Sequence, residues 1–229
     1  MVLVSHDYKF IYLKTKKTAG TTVDAFFERF CIPVEERDSH VSKHSAQQRI
    51  TDSGIIGSRR GGNSTDEWRN HKPASVVREL LGHTVFNSYL KFAVIRNPFD
   101  KAVSIYHYQN GAKHGTFVEF VQKGMLDKLA QPKRGKHTID WYIHTLDDVP
   151  VCDVYIRFEN LEHDIGALCS RLGINYKEYP LPHYKRSRRR PHYSEFYKLD
   201  NEIHQPTVDA VARFYAKEIA YFTYTFSRE

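Results

Sequence analysis

Twice along this 229-residue chain a short apolar run stops abruptly, passes through a polar loop and leads into an amphipathic helix. The first unit runs from Tyr8 to Leu13 (YKFIYL), through KTKKTAG, into Val23, Phe26, Phe27 and Phe30, which recur at i, i+3, i+4 and i+7. The second runs from Phe92 to Ile95 (FAVI), through RNP, into a stripe of Phe99, Ala102, Val103 and Tyr106, with Pro98 suited to the first helical turn. An apolar run with no polar face must be covered on both sides, which is the situation of a strand in a parallel sheet flanked by helices.

The rest of the chain extends that pattern. A third strand is expected at Val151 to Phe158 (VCDVYIRF), followed by a helix from Leu161 to Leu172 closed by Gly173. Val76, Val77, Leu80 and Leu81 predict a short helix ending at Gly82. Weaker helical signals lie at Phe117 to Val121 and at Ile139 to His144. Val208, Val211, Ala212 and Tyr215 predict a last helix, expected to pack on the sheet. Strands alternating with helices imply an α/β fold with a central parallel sheet flanked by helices, here expected as one domain over residues 1–229. Residues 33–70, with the run GSRRGGNS, read as a long loop or insertion, and residues 184–193 (YKRSRRRPHY) as a basic loop.

Composition narrows the partners. There are 34 Lys and Arg against 27 Asp and Glu, a formal charge of +7, so an anionic ligand is expected. No apolar run approaches the roughly 18 to 20 residues that span a bilayer, and the amino-terminal apolar stretch is too short for a signal peptide. Cys31, Cys152 and Cys169 form no CxxC pair and fit reduced thiols, so the expectation is a soluble, cytoplasmic protein without a structural zinc.

The chemistry concentrates in the two loops. A small loop between a buried strand and a helix aims backbone N–H groups and the positive helix end at one point, which is an anion site. In KTAGTT, Ala19 and Gly20 allow close backbone approach, Thr21 and Thr22 supply hydroxyls, and Lys17 supplies a mobile charge. A Thr-capped polar turn is the plain alternative. In the second unit, Arg96 follows the strand and Ser104 lies on the helix, a separation that can bring both to one phosphate; Arg96 could equally pair with Asp100.

These two stretches resemble the signatures of sulfotransferases that use 3′-phosphoadenosine 5′-phosphosulfate (PAPS). FIYLKTKKTAGTTV, Phe10 to Val23, is similar to their strand and Pro-Lys-Thr-Gly-Gly-Thr-Ser-like loop. RNPFDKAVSIY, Arg96 to Tyr106, is similar to Arg-Asn-Pro-Tyr/Phe-Asp-Arg…Ser-x-Tyr, and IRFENLEHDIGALCSRLGI, Ile156 to Ile174, is a weaker third. The resemblance is to the carbohydrate or bacterial type and implies a P-loop-like architecture. It implies that Lys17, Thr18, Ala19, Gly20, Thr21 and Thr22 hold the 5′-phosphosulfate and that Arg96 and Ser104 hold the 3′-phosphate. Lys185, Ser187 and Arg188 would add cofactor contacts from the basic loop, with His192 and Tyr193 shaping the pocket. Lys16 stands where the family commonly has Pro, so two lysines are adjacent; Lys17 is preferred as the catalytic one because it directly precedes Thr-Ala-Gly-Thr.

The resemblance further implies a His or Glu base between the two signatures. The histidines are His40, His44, His71 and His83, of which His71, just before a helix, is favoured; the rival carboxylates are Glu35, Glu36, Asp66 and Glu67. The expected reaction moves a sulfuryl group from PAPS to an acceptor hydroxyl on a glycan or small metabolite, without a metal, and Trp68 and Trp141 are candidate acceptor contacts. A P-loop kinase needs Mg²⁺ and the pattern GxxxxGK[ST], which is absent, and a nucleic-acid-binding module would leave the paired phosphate signatures unexplained.

Overall fold

The alternation in YKFIYL shows where each side chain goes. In a computed structural model, which describes residues 1–40, 47–59, 66–124, 126, 140–182 and 191–228, Phe10 and Tyr12 lie in one core cluster and Ile11 and Leu13 in another. A strand buried on both faces is the result, as its lack of a polar face demands. The chain divides into two compact units, one of residues 1–95 and 142–185, the other of residues 96–141 and 186–229.

The first unit holds a six-stranded sheet. In chain order its strands are β1 (Leu3–Ser5), β2 (Phe10–Tyr12), β3 (Arg49–Thr51), β4 (Gly54–Ile56), β5 (Leu90–Ile95) and, after the two-stranded hairpin β6 (Thr145–Leu146) and β7 (Val149–Pro150), β8 (Val154–Arg157). Their order across the sheet is β3-β4-β1-β2-β5-β8. The three strands expected from sequence are the parallel ones: Phe10 pairs with Leu90 and Tyr12 with Phe92, while Phe92 pairs with Val154 and Ile95 with Arg157. Beyond β2 the sheet continues antiparallel through β1, β4 and β3. Residues 33–70 are therefore not loop throughout, because Arg49 to Ile56 form a hairpin on the sheet. Gly54 fits β1 so closely that a Cβ there would lie 2.2 Å from the Val4 carbonyl oxygen.

Helices α1 (Gly20–Phe27), α2 (Ala74–Leu81) and α3 (His83–Ser88), and a later helix at Leu161–Leu172, cover this sheet. Phe26, Phe27, Ile165 and Leu168 join Phe10, Tyr12, Phe92 and Ile156 in one cluster; Ala74, Val77 and Phe86 join Ile11, Leu13 and Ala93 in the other. Gly82 and Gly173 end their helices at φ 79° and 71°, a backbone region that favours glycine.

The second unit is mainly helical, with α4 (Pro98–Tyr108), α5 (Phe117–Gln122), α7 (Gln205–Phe214) and α8 (Ala216–Phe222), where Leu161–Leu172 counts as α6. Asn97 caps α4 by accepting from the Phe99 N–H, ahead of Pro98, and Thr116 with Glu119 forms a capping box on α5. A short hairpin of β9 (Lys198–Leu199) and β10 (Glu202–Ile203) precedes α7. The core is Phe99, Ala102, Val103, Tyr106, Phe117, Phe120, Tyr197, Val208, Val211 and Tyr215. The last predicted helix thus buries its stripe among α4 and α5 of its own unit, where the expectation had set it on the sheet. Of the weak signal at Ile139 to His144, the described residues 140–144 hold a single 3₁₀ turn at Trp141–Ile143, and Ile139 lies outside them.

Candidate active site

The first loop leaves the sheet in register. The Leu13 N–H still donates to the Phe92 carbonyl at 2.9 Å, after which the chain turns away and enters α1 at Gly20. Lys17 and Ala19 both have left-handed backbone, at φ 60° and 55°, although neither is glycine. Such alternation curls successive N–H groups toward one concave point, and it persists only where the surroundings enforce it. Two hydroxyls enforce it here: Thr15 donates to the Val94 carbonyl of β5, and Thr18 Oγ1 lies 2.8 Å from Thr15 Oγ1. Thr18 is fully buried, so its hydroxyl ties the loop to the sheet through Thr15. No side chain caps α1, leaving the positive end of an eight-residue helix at Gly20 and Thr21.

The three lysines of the loop have separate fates. Lys14 is buried and its ammonium pairs with the carboxylate of Asp24, itself 1% exposed in its side chain. Arg59 stands 3.9 Å from the same Asp24 oxygen and pairs with Glu28, whose other oxygen is 3.3 Å from His40. Lys14 is therefore neutralised inside the protein. Lys16 reaches the Tyr142 hydroxyl at 3.5 Å, with its ammonium 6.0 Å from the ring centroid. Lys17, half-buried, stands at the left-handed turn of the loop.

Among the described candidate bases, His71 is held at this loop. Its Nδ1 lies 2.9 Å from the Lys14 carbonyl oxygen, so Nδ1–H donates there and Nε2 keeps its lone pair. Burial, reinforced by nearby positive charge including Lys14 and Lys16, holds this imidazole well below the ordinary histidine range and hence neutral at pH 7. His40 is engaged by Glu28, and His83 is a surface imidazole 3.6 Å from Glu79. His44 lies outside the described residues. Glu36 pairs with Arg49 at 2.6 Å, a bond that lowers its carboxyl pKa, while Glu35 and Glu67 are exposed and Asp66 is buried.

In the second unit, Arg96 places Nε 2.8 Å and Nη2 2.7 Å from Asp100 Oδ2, realising the pair that the sequence left open. Ser104 is one turn beyond Asp100 on the same face of α4 and is 9% exposed. Lys185, Ser187 and Arg188 lie outside the described residues. His192 Nδ1 lies 2.9 Å from Ser194 Oγ, and the Tyr193 hydroxyl accepts from the Ser227 N–H at 2.7 Å, bracing the carboxyl-terminal segment. Neither tryptophan is open to an acceptor: Trp68 is 4% exposed in the core and Trp141, 8% exposed, meets the Tyr221 ring edge-on.

Comparison with known proteins decides the family. The profile of the sulfotransferase family matches residues 1–225. The chain belongs to the sulfotransferase family. A curated protein of Archaeoglobus fulgidus, described only as uncharacterized, is 33% identical over 107 residues, covering 44% of this sulfotransferase and 82% of that protein. No solved structure matches significantly. Membership assigns the chain to sulfuryl transfer. Among the described residues of the sulfotransferase, no helix is long and apolar enough to cross a membrane, and no group of three or more His, Cys, Asp or Glu could hold a metal ion. Its three cysteines are unpaired; burial pushes the Cys31 and Cys152 thiols well up and Cys169 to about 12, which makes them poor nucleophiles.

Sequence reasoning missed the residues beneath the loop. Asp24 is a carboxylate within the apolar helix VDAFF but off the stripe of Val23, Phe26, Phe27 and Phe30, and Thr15 and Tyr142 carry no motif, so the sequence offered no signal for these residues.

Proposed function

We propose that this sulfotransferase uses PAPS as donor and sulfates a hydroxyl of a glycan or small hydroxylated metabolite, releasing adenosine 3′,5′-bisphosphate. The observation that carries the reading is the juxtaposition of His71, with Nε2 unprotonated, and the curled loop bearing Lys17. In this reading the backbone of Lys17 to Thr22 holds the phosphosulfate, while Arg96 and Ser104, with Lys185, Ser187 and Arg188, hold the 3′-phosphate. The donor brings an activated sulfuryl group. His71 Nε2 takes the proton of the acceptor hydroxyl as its oxygen bonds to sulfur, and Lys17 stabilises the negative charge left on the departing phosphate oxygen. No nucleic acid partner is required, and the family match across both units supports treating residues 1–229 as one sulfotransferase domain. Buried thiols fit the cytoplasm.

The test is calorimetric titration with adenosine 3′,5′-bisphosphate and, separately, ATP with Mg²⁺, in wild type, Arg96→Ala and Lys17→Met, followed by PAPS turnover on a panel of hydroxyl acceptors. Bisphosphate binding should weaken on the order of tenfold or more in Arg96→Ala, as loss of a charge-assisted contact predicts. Lys17→Met should retain binding within about tenfold yet lose at least about a hundredfold in turnover. Preference for ATP, or full turnover in Lys17→Met, refutes the assignment.

A further inference from the structure

Lys14 is unused by the mechanism above, yet three parts of the site meet on it. Its side chain pairs with Asp24 on α1. Its methylenes run so close to the start of that helix that a Cβ on Gly20 would lie 2.5 Å from Lys14 Cε. Its carbonyl oxygen accepts the Nδ1–H of His71 at 2.9 Å. Among the described residues the second Asp24 oxygen, Oδ1, is buried without a hydrogen-bond partner and Lys14 is the nearest cation to this carboxylate.

We propose that Lys14, held by Asp24, is a positioning residue: one anchor that sets both the first turn of the donor-binding helix and the tautomer of the base. The inference rests on the sulfotransferase reading above and deepens it. A lysine fixed only at its backbone would let the segment carrying the carbonyl shift against α1. With its ammonium locked to Asp24, this side chain joins the Thr15 and Thr18 hydroxyls in setting the distance between loop and imidazole. Through the carbonyl, the same residue keeps the proton on Nδ1 and leaves Nε2 ready to accept one. The charged groups bearing on this imidazole are the amino group of Met1, Lys14 and Lys16, so removing Lys14 alters its field as well as its anchor.

The test is nuclear magnetic resonance of protein labelled with ¹⁵N at histidine, with the His71 signals identified by their loss in His71→Gln. Wild type should show the Nδ1–H tautomer. The double variant Lys14→Met, Asp24→Leu removes both charges together, so no buried carboxylate is stranded. In it the Nε2–H form should become substantial and the imidazole midpoint should rise toward its ordinary range. PAPS turnover should fall at least about tenfold in kcat, with KM for PAPS changing less than about threefold, because the lost interaction orients the base and does not bind donor. Lys14→Arg, which can keep the pair, should stay closer to wild type in each readout. If the double variant does not fold, Asp24→Asn, which keeps the Lys14 charge but removes its carboxylate partner, is read by the tautomer alone, and the Nε2–H form should become substantial. An Nε2–H tautomer in wild type, or an unchanged tautomer and midpoint in a folded variant, overturns the inference. Failure of wild type to bind bisphosphate instead refutes the donor reading, and the tautomer measurement still decides what Lys14 holds.

Discussion

Gly20→Ala is the substitution whose cost can be worked most directly from the loop. Gly20 opens α1, and its backbone does not lie in the left-handed region, so alanine can adopt the local conformation. The obstacle is the neighbour. The new Cβ would meet Lys14 Cε at 2.5 Å and Cδ and Cγ at 3.4 Å, where carbon atoms rest at about 3.5 to 4 Å. A solvent-exposed lysine would swing aside at little cost, but this one is buried and bound to Asp24. If Lys14 gave up that pair, the stranded carboxylate would cost about 3 to 5 kcal/mol. Shifting the helix start instead is an overpacking adjustment of about 1 to 3 kcal/mol, and the cheaper route governs. Alanine regains up to about 1 kcal/mol over glycine from helix propensity and unfolded-state entropy. The net loss is about 1 to 2 kcal/mol, which for a chain of this size lowers the melting temperature by about 2 to 8 °C. The assay is thermal denaturation of wild type, Gly20→Ala, Lys14→Ala and the double variant. In the Lys14→Ala background the penalty should vanish and Gly20→Ala should become neutral or stabilising, since the clashing atoms are gone. Equal stability of Gly20→Ala and wild type, or the same penalty in both backgrounds, would refute the close contact as the reason for glycine.

Two further outcomes concern pH. A base that must be neutral sets the acid limb of kcat/KM, and the depressed pKa of His71 puts that limb below the ordinary histidine value of about 6.5. Because the unfolded state binds this proton more readily, His71 contributes stability that is present above the unfolded pKa and is lost as pH falls through the folded one. A rate profile whose acid midpoint lies above the ordinary histidine value would remove His71 as the base. Glu218 behaves with the opposite sign: burial raises its carboxyl pKa, with Asp140 reinforcing and Lys101 opposing the shift, so its ionisation disfavours folding as pH rises through the carboxylate range. Glu218→Gln should therefore raise the melting temperature at pH 8 more than at pH 4.5, and a larger gain at the acidic pH would contradict it.

The parallel trio β2, β5 and β8 was legible because each is a short run dominated by aromatic and β-branched residues. The helices ending at Gly82 and Gly173 were legible for a similarly local reason, a stripe closed by a residue that accepts left-handed backbone. The antiparallel extension was not. β1, β3 and β4 are each three residues long, too short to display alternation, and Ile50 on β3 is 57% exposed, so nothing marks it as sheet until β4 pairs with it. The last helix showed its apolar stripe but not its destination, because a stripe specifies burial and does not name the partner that provides it.

The same division runs through the site. Sequence alone determined that two strand-loop-helix units carry phosphate-binding residue types in order, since spacing along a helix or loop is a property of neighbours in the chain. The resemblance to sulfotransferases narrowed the expected base to a few residues between them. Tertiary structure alone separated Lys14, Lys16 and Lys17, three similar side chains within four positions, into an internal ion pair, a phenol contact and a residue at the left-handed turn. It likewise brought His71, the histidine the sequence favoured, to the carbonyl of Lys14, 57 residues away along the chain. Charge and hydrogen bonding act over a few ångströms of space, so which lysine is neutralised and which nitrogen carries a proton are settled by partners that lie far apart in the sequence.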